Sequence, residues 1–199
     1  MRTALRFSRP GGMLWPWTLV LLLACTAGVA AGATPDGRWY QLSPVGQEQA
    51  AVFDPLEHRM LLFGGIHEGG ISNELWECAL AGAPDWTRIE VADPRPAARH
   101  GQSMIYDTRR NRLVLFGGGD AAGTVLADVW ALQLGVASPA WVQWSPLGTA
   151  PAARGYHSAV YDSLQDRMIV FGGAQQLGVD GPPSDFLGDL WTLSLGDTP

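Results

Sequence analysis

The hydrophobic positions of this chain gather into short runs bounded by turn residues. Three of the runs, Met60-Leu61-Leu62-Phe63, Leu113-Val114-Leu115-Phe116 and Met168-Ile169-Val170-Phe171, are apolar without interruption. A run of that length between polar turns predicts a strand covered on both faces, as sheets stacked face to face would provide. An aromatic-Asp pair precedes each run and a glycine pair follows it: Phe53-Asp54 and Gly64-Gly65, Tyr106-Asp107 and Gly117-Gly118, Tyr161-Asp162 and Gly172-Gly173. Both features advance by 53 and then by 55 residues. A variable stretch then leads to a tryptophan segment, "NELWECAL", "ADVWALQL" or "GDLWTLSL". In two units a second such segment follows, "DWTRIEV" or "AWVQWSP", before a Pro-rich link. The pattern predicts an all-β chain of three four-stranded antiparallel repeats, at about 46–90, 99–145 and 154–195.

The recurrent residues have structural readings. No GxGxxG or GxxxxGK[ST] is present, so the glycine pairs predict positive-φ or crowded backbone at the end of a strand, not a phosphate loop. Asp54 and Arg59, Asp107 and Arg112, and Asp162 and Arg167 bracket hairpin turns, where Asp and Arg can meet across the turn and Asp can bond turn amides. Cys78 stands where the other units have Leu132 and Leu193, which predicts a small buried hydrophobe.

Together, the Gly-Gly pair after a hydrophobic strand, the Trp strand after a variable loop and the period of about 50 residues resemble the kelch repeat. The resemblance implies that each unit is one blade of a β-propeller. The first unit departs from the family pattern, with "VGQEQAAVFD" where an Arg and a His would precede the strand. Residues 38–43 match the fourth-strand segment "WVQWSP" and are expected to complete the last blade, after which no fourth strand follows. Three blades are fewer than a closed ring takes. The expectations are therefore an open or partial propeller, half of a homodimeric six-bladed ring, or a fragment of a longer propeller.

Residues 1–33 stand apart from the repeats. Arg2, Arg6 and Arg9 precede an uncharged apolar stretch that ends in small residues, which has the form of a signal peptide. Cleavage after Ala33 leaves a domain over 34–199, lipidation at Cys25 leaves a lipoprotein, and an uncleaved anchor is a third route. Each implies export to a periplasmic, extracellular or outer-surface location, with membrane contact only through the signal or a lipid anchor. Removing residues 1–33 takes the formal charge from -6 to -9, and all 13 basic residues are Arg. That charge offers no phosphate-binding footprint, so nucleic acid is not an expected partner. Two cysteines make no disulfide framework.

None of the four histidines has paired metal-ligand spacing, and no cofactor or metal is expected. Variation concentrates in the loops between second and third strands and in the links between units, which share one rim of an antiparallel blade. The candidate binding residues there are His67, Arg99, His100, Asp120, Arg154, Tyr156, Gln176 and Asp180. The reading is a scaffold that binds a protein or glycan through this rim without catalysis of its own. The alternatives are a carbohydrate-active enzyme, a sugar epimerase or oxidase, using His100, Tyr156 and rim acids such as Asp120, and a non-functional remnant of a longer propeller.

Overall fold

The structure, a computed structural model, describes residues 46–81, 85–177 and 182–196. All regular secondary structure among them is β. The first unit is an antiparallel sheet of Ala50–Asp54, Arg59–Phe63, Leu75–Ala79 and Trp86–Ile89, in that spatial order. The second repeats it with Ser103–Asp107, Arg112–Phe116, Val129–Gln133 and Trp141–Trp144. The third has Ser158–Asp162, Arg167–Phe171 and Leu190–Ser194, three strands rather than four among the described residues. The expected fourth strand at 38–43 lies outside the described residues, as do 1–33 with their processing signals.

Each inner hairpin closes in the same way. Asp54 pairs with Arg59, Asp107 with Arg112 and Asp162 with Arg167 at the last rung. In every turn one Asp oxygen accepts amide hydrogens from two and three residues on, while the other accepts from the Arg Nε at 2.8 to 3.0 Å. The turn then needs one left-handed residue, supplied by His58, Asn111 and Asp166 at φ of 51°, 50° and 53°. Asn and Asp tolerate that region better than most side chains.

The unbroken apolar runs are explained by the middle sheet. Side chains alternate across a strand, so Leu113 and Leu115 join Leu61, Phe63, Met104, Trp130 and Trp141 in one core. Val114 and Phe116 point the other way and join Ile105, Trp144, Met168 and Val170 in a second. Trp141 wedges edge-on against Phe63 at 5.1 Å between ring centroids. Burying one large apolar side chain in such a core contributes about 1.5–3 kcal/mol. Cys78 is fully buried, as its core-leucine position predicts, and burial raises its thiol pKa. The three blades stand side by side as an open propeller, leaving Phe53 of the first and Val160, Phe171 and Leu190 of the third exposed.

Beyond the blades, the rim is more ordered than loops need be. Ile66–His67 pairs with Gly70–Ile71, and Ala174–Gln176 pairs with Ser184–Phe186. Gly119–Asp120 pairs instead with Arg99–His100, tying the loop of the second blade to its own entry segment. Backbone groups near the axis need partners, and these short ladders supply them.

Candidate functional site

The rim is built on the glycine pairs. The first glycine of each pair lies at φ of 67°, 67° and 68°, and the second at 87°, 96° and 100°. That left-handed backbone, which glycine adopts without a side-chain penalty, turns the chain out of the sheet. It also makes room for the entry segment of the next blade. A Cβ on Gly117 would lie 2.5 Å from the Arg154 carbonyl oxygen. Gly118 N–H donates to that same oxygen at 2.9 Å, as Gly65 N–H does to Arg99 O at 2.8 Å.

Arg99 and Arg154 enter at this point, and the structure withdraws both from the rim surface. Arg99 donates to both carboxylate oxygens of Asp128, at 2.7 and 2.8 Å, and to Gly117 O at 3.0 Å. Arg154 repeats the grip on Asp189 at 2.5 and 2.9 Å, with Gly172 O at 2.9 Å. Each carboxylate also takes the indole N–H two residues on, from Trp130 or Trp191, at 2.6 Å. Both guanidinium groups are buried, with their donors engaged inside the blade rather than displayed at the rim surface. Burial opposes ionisation of Asp128, yet the bonds and charge of Arg99 outweigh it and hold the carboxyl below its ordinary pKa. Arg154 and then Trp191 do the same for Asp189.

The first blade lacks this arginine, as its sequence indicated. Glu74 occupies the Asp128 position and pairs with Arg88 at 2.7 Å near the surface. The carbonyl of Gly64, which would otherwise accept from the arginine, instead accepts from His67 Nε2 at 3.1 Å. His67 is thereby committed to the rim backbone.

What the structure does bring together is His100 and Tyr156, with Glu48 as their common partner. His100 Nδ1 and the Tyr156 hydroxyl both donate to Glu48 Oε2 at 2.7 Å, and lie 3.4 Å from each other. The rings meet edge to face with centroids 6.0 Å apart. Glu48 precedes the first blade, His100 the second and Tyr156 the third, so the cluster marks the convergence of all three entry segments. Glu48, Gly101 and Tyr156 occupy the same position in successive units, and all are left-handed, at φ of 57°, 63° and 55°. For Glu and Tyr that backbone is strained, and such strain persists where surrounding contacts enforce it, often at binding sites. Burial and then the bond to Glu48 push the Tyr156 phenol pKa upward, so it remains a donor at neutral pH. His100 is almost enclosed, while Tyr156 and Glu48 reach solvent.

The other expected residues lie around this centre. Asp120 is engaged locally, its Oδ1 accepting from the amides of Ala122 and Thr124 at 2.9 and 2.8 Å. Gln176 is exposed on its hairpin, donating to Asp185 at 2.7 Å and accepting from Ser184 at 3.1 Å. Asp180 lies outside the described residues. Beside Gln176, Phe186 is exposed at the rim. Sequence reasoning missed Glu48, Asp128, Asp189 and Phe186. The Asp two residues before Trp in "ADVW" and "GDLW" was the available signal for the arginine partners; Glu48 had none, because it lies in the departing unit.

Comparison with known proteins accords with this architecture. The description "KLHDC2/KLHL20/DRC7 Kelch-repeats domain" matches residues 39–198. Adagio-like protein 1 of Oryza sativa subsp. japonica is 28% identical over 85% of this chain and 24% of its own length. Dynein regulatory complex subunit 7 of Chlamydomonas reinhardtii is 33% identical over 57% of the chain and 10% of its length. For host cell factor 1 of Homo sapiens the identity is 31%, over 69% of the chain and 7% of its length. The chain thus spans a quarter or less of the length of these relatives. With blades, glycine pairs and a matching profile over nearly all of the repeats, the chain belongs to the kelch-repeat family.

Proposed function

We propose that this chain is an exported kelch scaffold whose loop-bearing rim binds a protein partner and performs no chemistry of its own. The carrying observation is the cluster of Glu48, His100 and Tyr156, contributed by three entry segments and held on left-handed backbone at the rim. It offers a carboxylate and a phenol to solvent, with the exposed Phe186 ring on the same rim. Aromatic groups with polar tips suit protein recognition, where they bury much area at small entropic cost. One relative is by its name a subunit of a dynein regulatory complex, which agrees with a role in assembly. Export rests on the basic, apolar and small-residue order of residues 1–33.

The test is quantitative binding between immobilised protein and a partner it captures. The Tyr156→Ala, Phe186→Ala double variant should bind at least about tenfold more weakly, a loss of about 1.4 kcal/mol. Unchanged binding would remove the rim from consideration. A glycan array probed with the same protein addresses a glycan ligand in place of a protein. Sugar turnover abolished by His100→Ala would replace the scaffold reading with an enzyme.

A further inference from the structure

Charge is distributed unevenly at the rim. Each rim hairpin or loop carries an acid, Glu68 in the first blade, Asp120 in the second and Asp185 in the third, and Glu68 and Asp185 are exposed. The arginines nearby are already engaged. Arg99 and Arg154 are buried inside their blades. Arg88, at the edge of the first blade, is held by Glu74 and Glu90 at 2.7 and 2.6 Å, and Arg95, in the following link, by Asp93 at 2.8 Å. Arg59, Arg109, Arg110, Arg112 and Arg167 belong to the hairpin turns at the opposite end. Among the described residues no arginine is left unpaired at the rim, and the chain has no lysine. The rim therefore presents negative charge, in a chain whose formal net charge is -6. Such a field draws in basic partners and repels acidic ones.

At the convergence of the entry segments this field has a shaped acceptor. The two donors beside Glu48, His100 Nδ1 and the Tyr156 hydroxyl, are both bound to its Oε2. Its Oε1 receives no hydrogen bond, and the side chain is 37% exposed. The His100 side chain is nine-tenths enclosed, so the carboxylate is anchored from inside while its second oxygen faces solvent. A ligand at this oxygen must bring the donor itself. Tyr156 adds an aromatic wall. Its ring rests against Gly101, where a Cβ would fall 2.9 Å from Cε1 and 3.0 Å from Cδ1, and the residue is still 38% exposed. An aromatic face attracts a cation. A planar guanidinium can stack on such a ring and donate from its edge to a carboxylate, a combination that a compact ammonium does not match.

We infer that this site receives an arginine side chain of a protein partner, its guanidinium stacked on the Tyr156 ring and donating to Glu48 Oε1. The inference rests on the reading of the rim as the binding face and names what that face takes. The surroundings favour a protein over a free cation. Glu68 and Asp185 stand on hairpins of different blades, where further basic residues of a partner would meet them. The exposed Phe186 ring offers apolar contact that a lone cation would not use. An acidic peptide or a sulfated glycan would meet repulsion from the same groups.

An NMR titration with the peptide acetyl-Gly-Arg-Gly-amide at low salt, following the Tyr156 ring signals, tests it. The shifts should saturate, and the affinity should fall as salt is added. The same peptide with citrulline in place of arginine keeps the shape and loses the charge, and should bind at least about tenfold more weakly. The lysine peptide should also bind more weakly than the arginine peptide. Glu48→Gln should lower the affinity for the arginine peptide by the same order as the citrulline exchange. The peptide comparison uses the unaltered protein, so it stands even where Glu48→Gln fails to fold. Equal affinity for the citrulline or the lysine peptide, undiminished binding to Glu48→Gln, or shifts that do not saturate would each overturn the proposal. If the Tyr156→Ala, Phe186→Ala variant loses a captured partner while Glu48→Gln holds it unchanged, the rim remains the binding face and the arginine assignment fails.

Discussion

Arg99 is sealed from solvent while its partner Asp128 still touches water. This asymmetry makes the two residues unequal under mutation. Removing the carboxylate strands a buried charge, and breaking such a pair from one side costs about 3–5 kcal/mol. Asp128→Ala should therefore lower unfolding stability by that order. Glu74→Ala, at the matching position of the first blade, removes a pair with the half-exposed Arg88 and should cost at most about 1 kcal/mol. Urea denaturation of the two variants in parallel decides it.

His157 gives the fold a pH dependence on the mildly acidic side. Burial, and after it the charge of Arg154, pull its pKa down from 6.5 to about 4. Between those values the unfolded chain binds the proton and the folded chain does not. Stability is thus fully present above about pH 6.5 and is lost as pH falls towards about 4, by roughly 3 kcal/mol in all. Gln102 fills the same position in the preceding blade, so His157→Gln should fold and lose this slope. Stability measured at pH 7, 5.5 and 4.5 reads it directly.

Below pH 4 a different set of groups takes over. Asp189, held low by Arg154 and Trp191, and Asp166, held at about 2 by Arg110 and Tyr161, must be protonated for their ion pairs to fail. Their contribution is present above the unfolded carboxylate pKa and disappears as pH drops through the folded values. Asp189→Asn should flatten the acid limb of the stability curve between about pH 4 and 2, while leaving the His157 step in place.

Gly117 and Gly172 hold equivalent positions with nearly identical φ. An alanine in that region costs about 1–2 kcal/mol from backbone strain alone, which is the expected loss for Gly172→Ala. Gly117→Ala adds the clash with Arg154 O and should melt at a clearly lower temperature. Equal melting temperatures would mean that the entry segment yields without cost.

Cys78 should be unreactive towards a thiol reagent in the native protein and should react once unfolded, because burial both shields the sulfur and disfavours its thiolate. Native labelling at the rate of a free thiol would contradict its place in the core.

The repeats, the blade strands and the Asp-Arg turns were legible because each is set by neighbours a few residues apart or by the two-residue alternation of a strand. Arg99 and Asp128 are 29 residues apart, and Arg154 and Asp189 are 35. The difference is absorbed by the loop between them, so no fixed spacing announced the pairs, and two arginines that the structure buries were expected at the rim surface. Glu48 and Tyr156 are 108 residues apart. Their contact comes from the inward convergence of successive entry segments, which a linear pattern does not encode. The glycine pairs were assigned correctly as backbone geometry, yet their service to the following blade became visible only in three dimensions.

The shared left-handed position before each blade makes its occupants dependent on one another in size. A Cβ on Gly101 would fall 2.9 Å from the Tyr156 ring. The large residue in the third unit is therefore accommodated by the absence of a side chain in the second. Enlarging position 101 would require trimming position 156. The set of groups displayed at the axis is thus chosen jointly, as a combination, and swapping any one of them alone is a test of its neighbour's tolerance before it is a test of recognition.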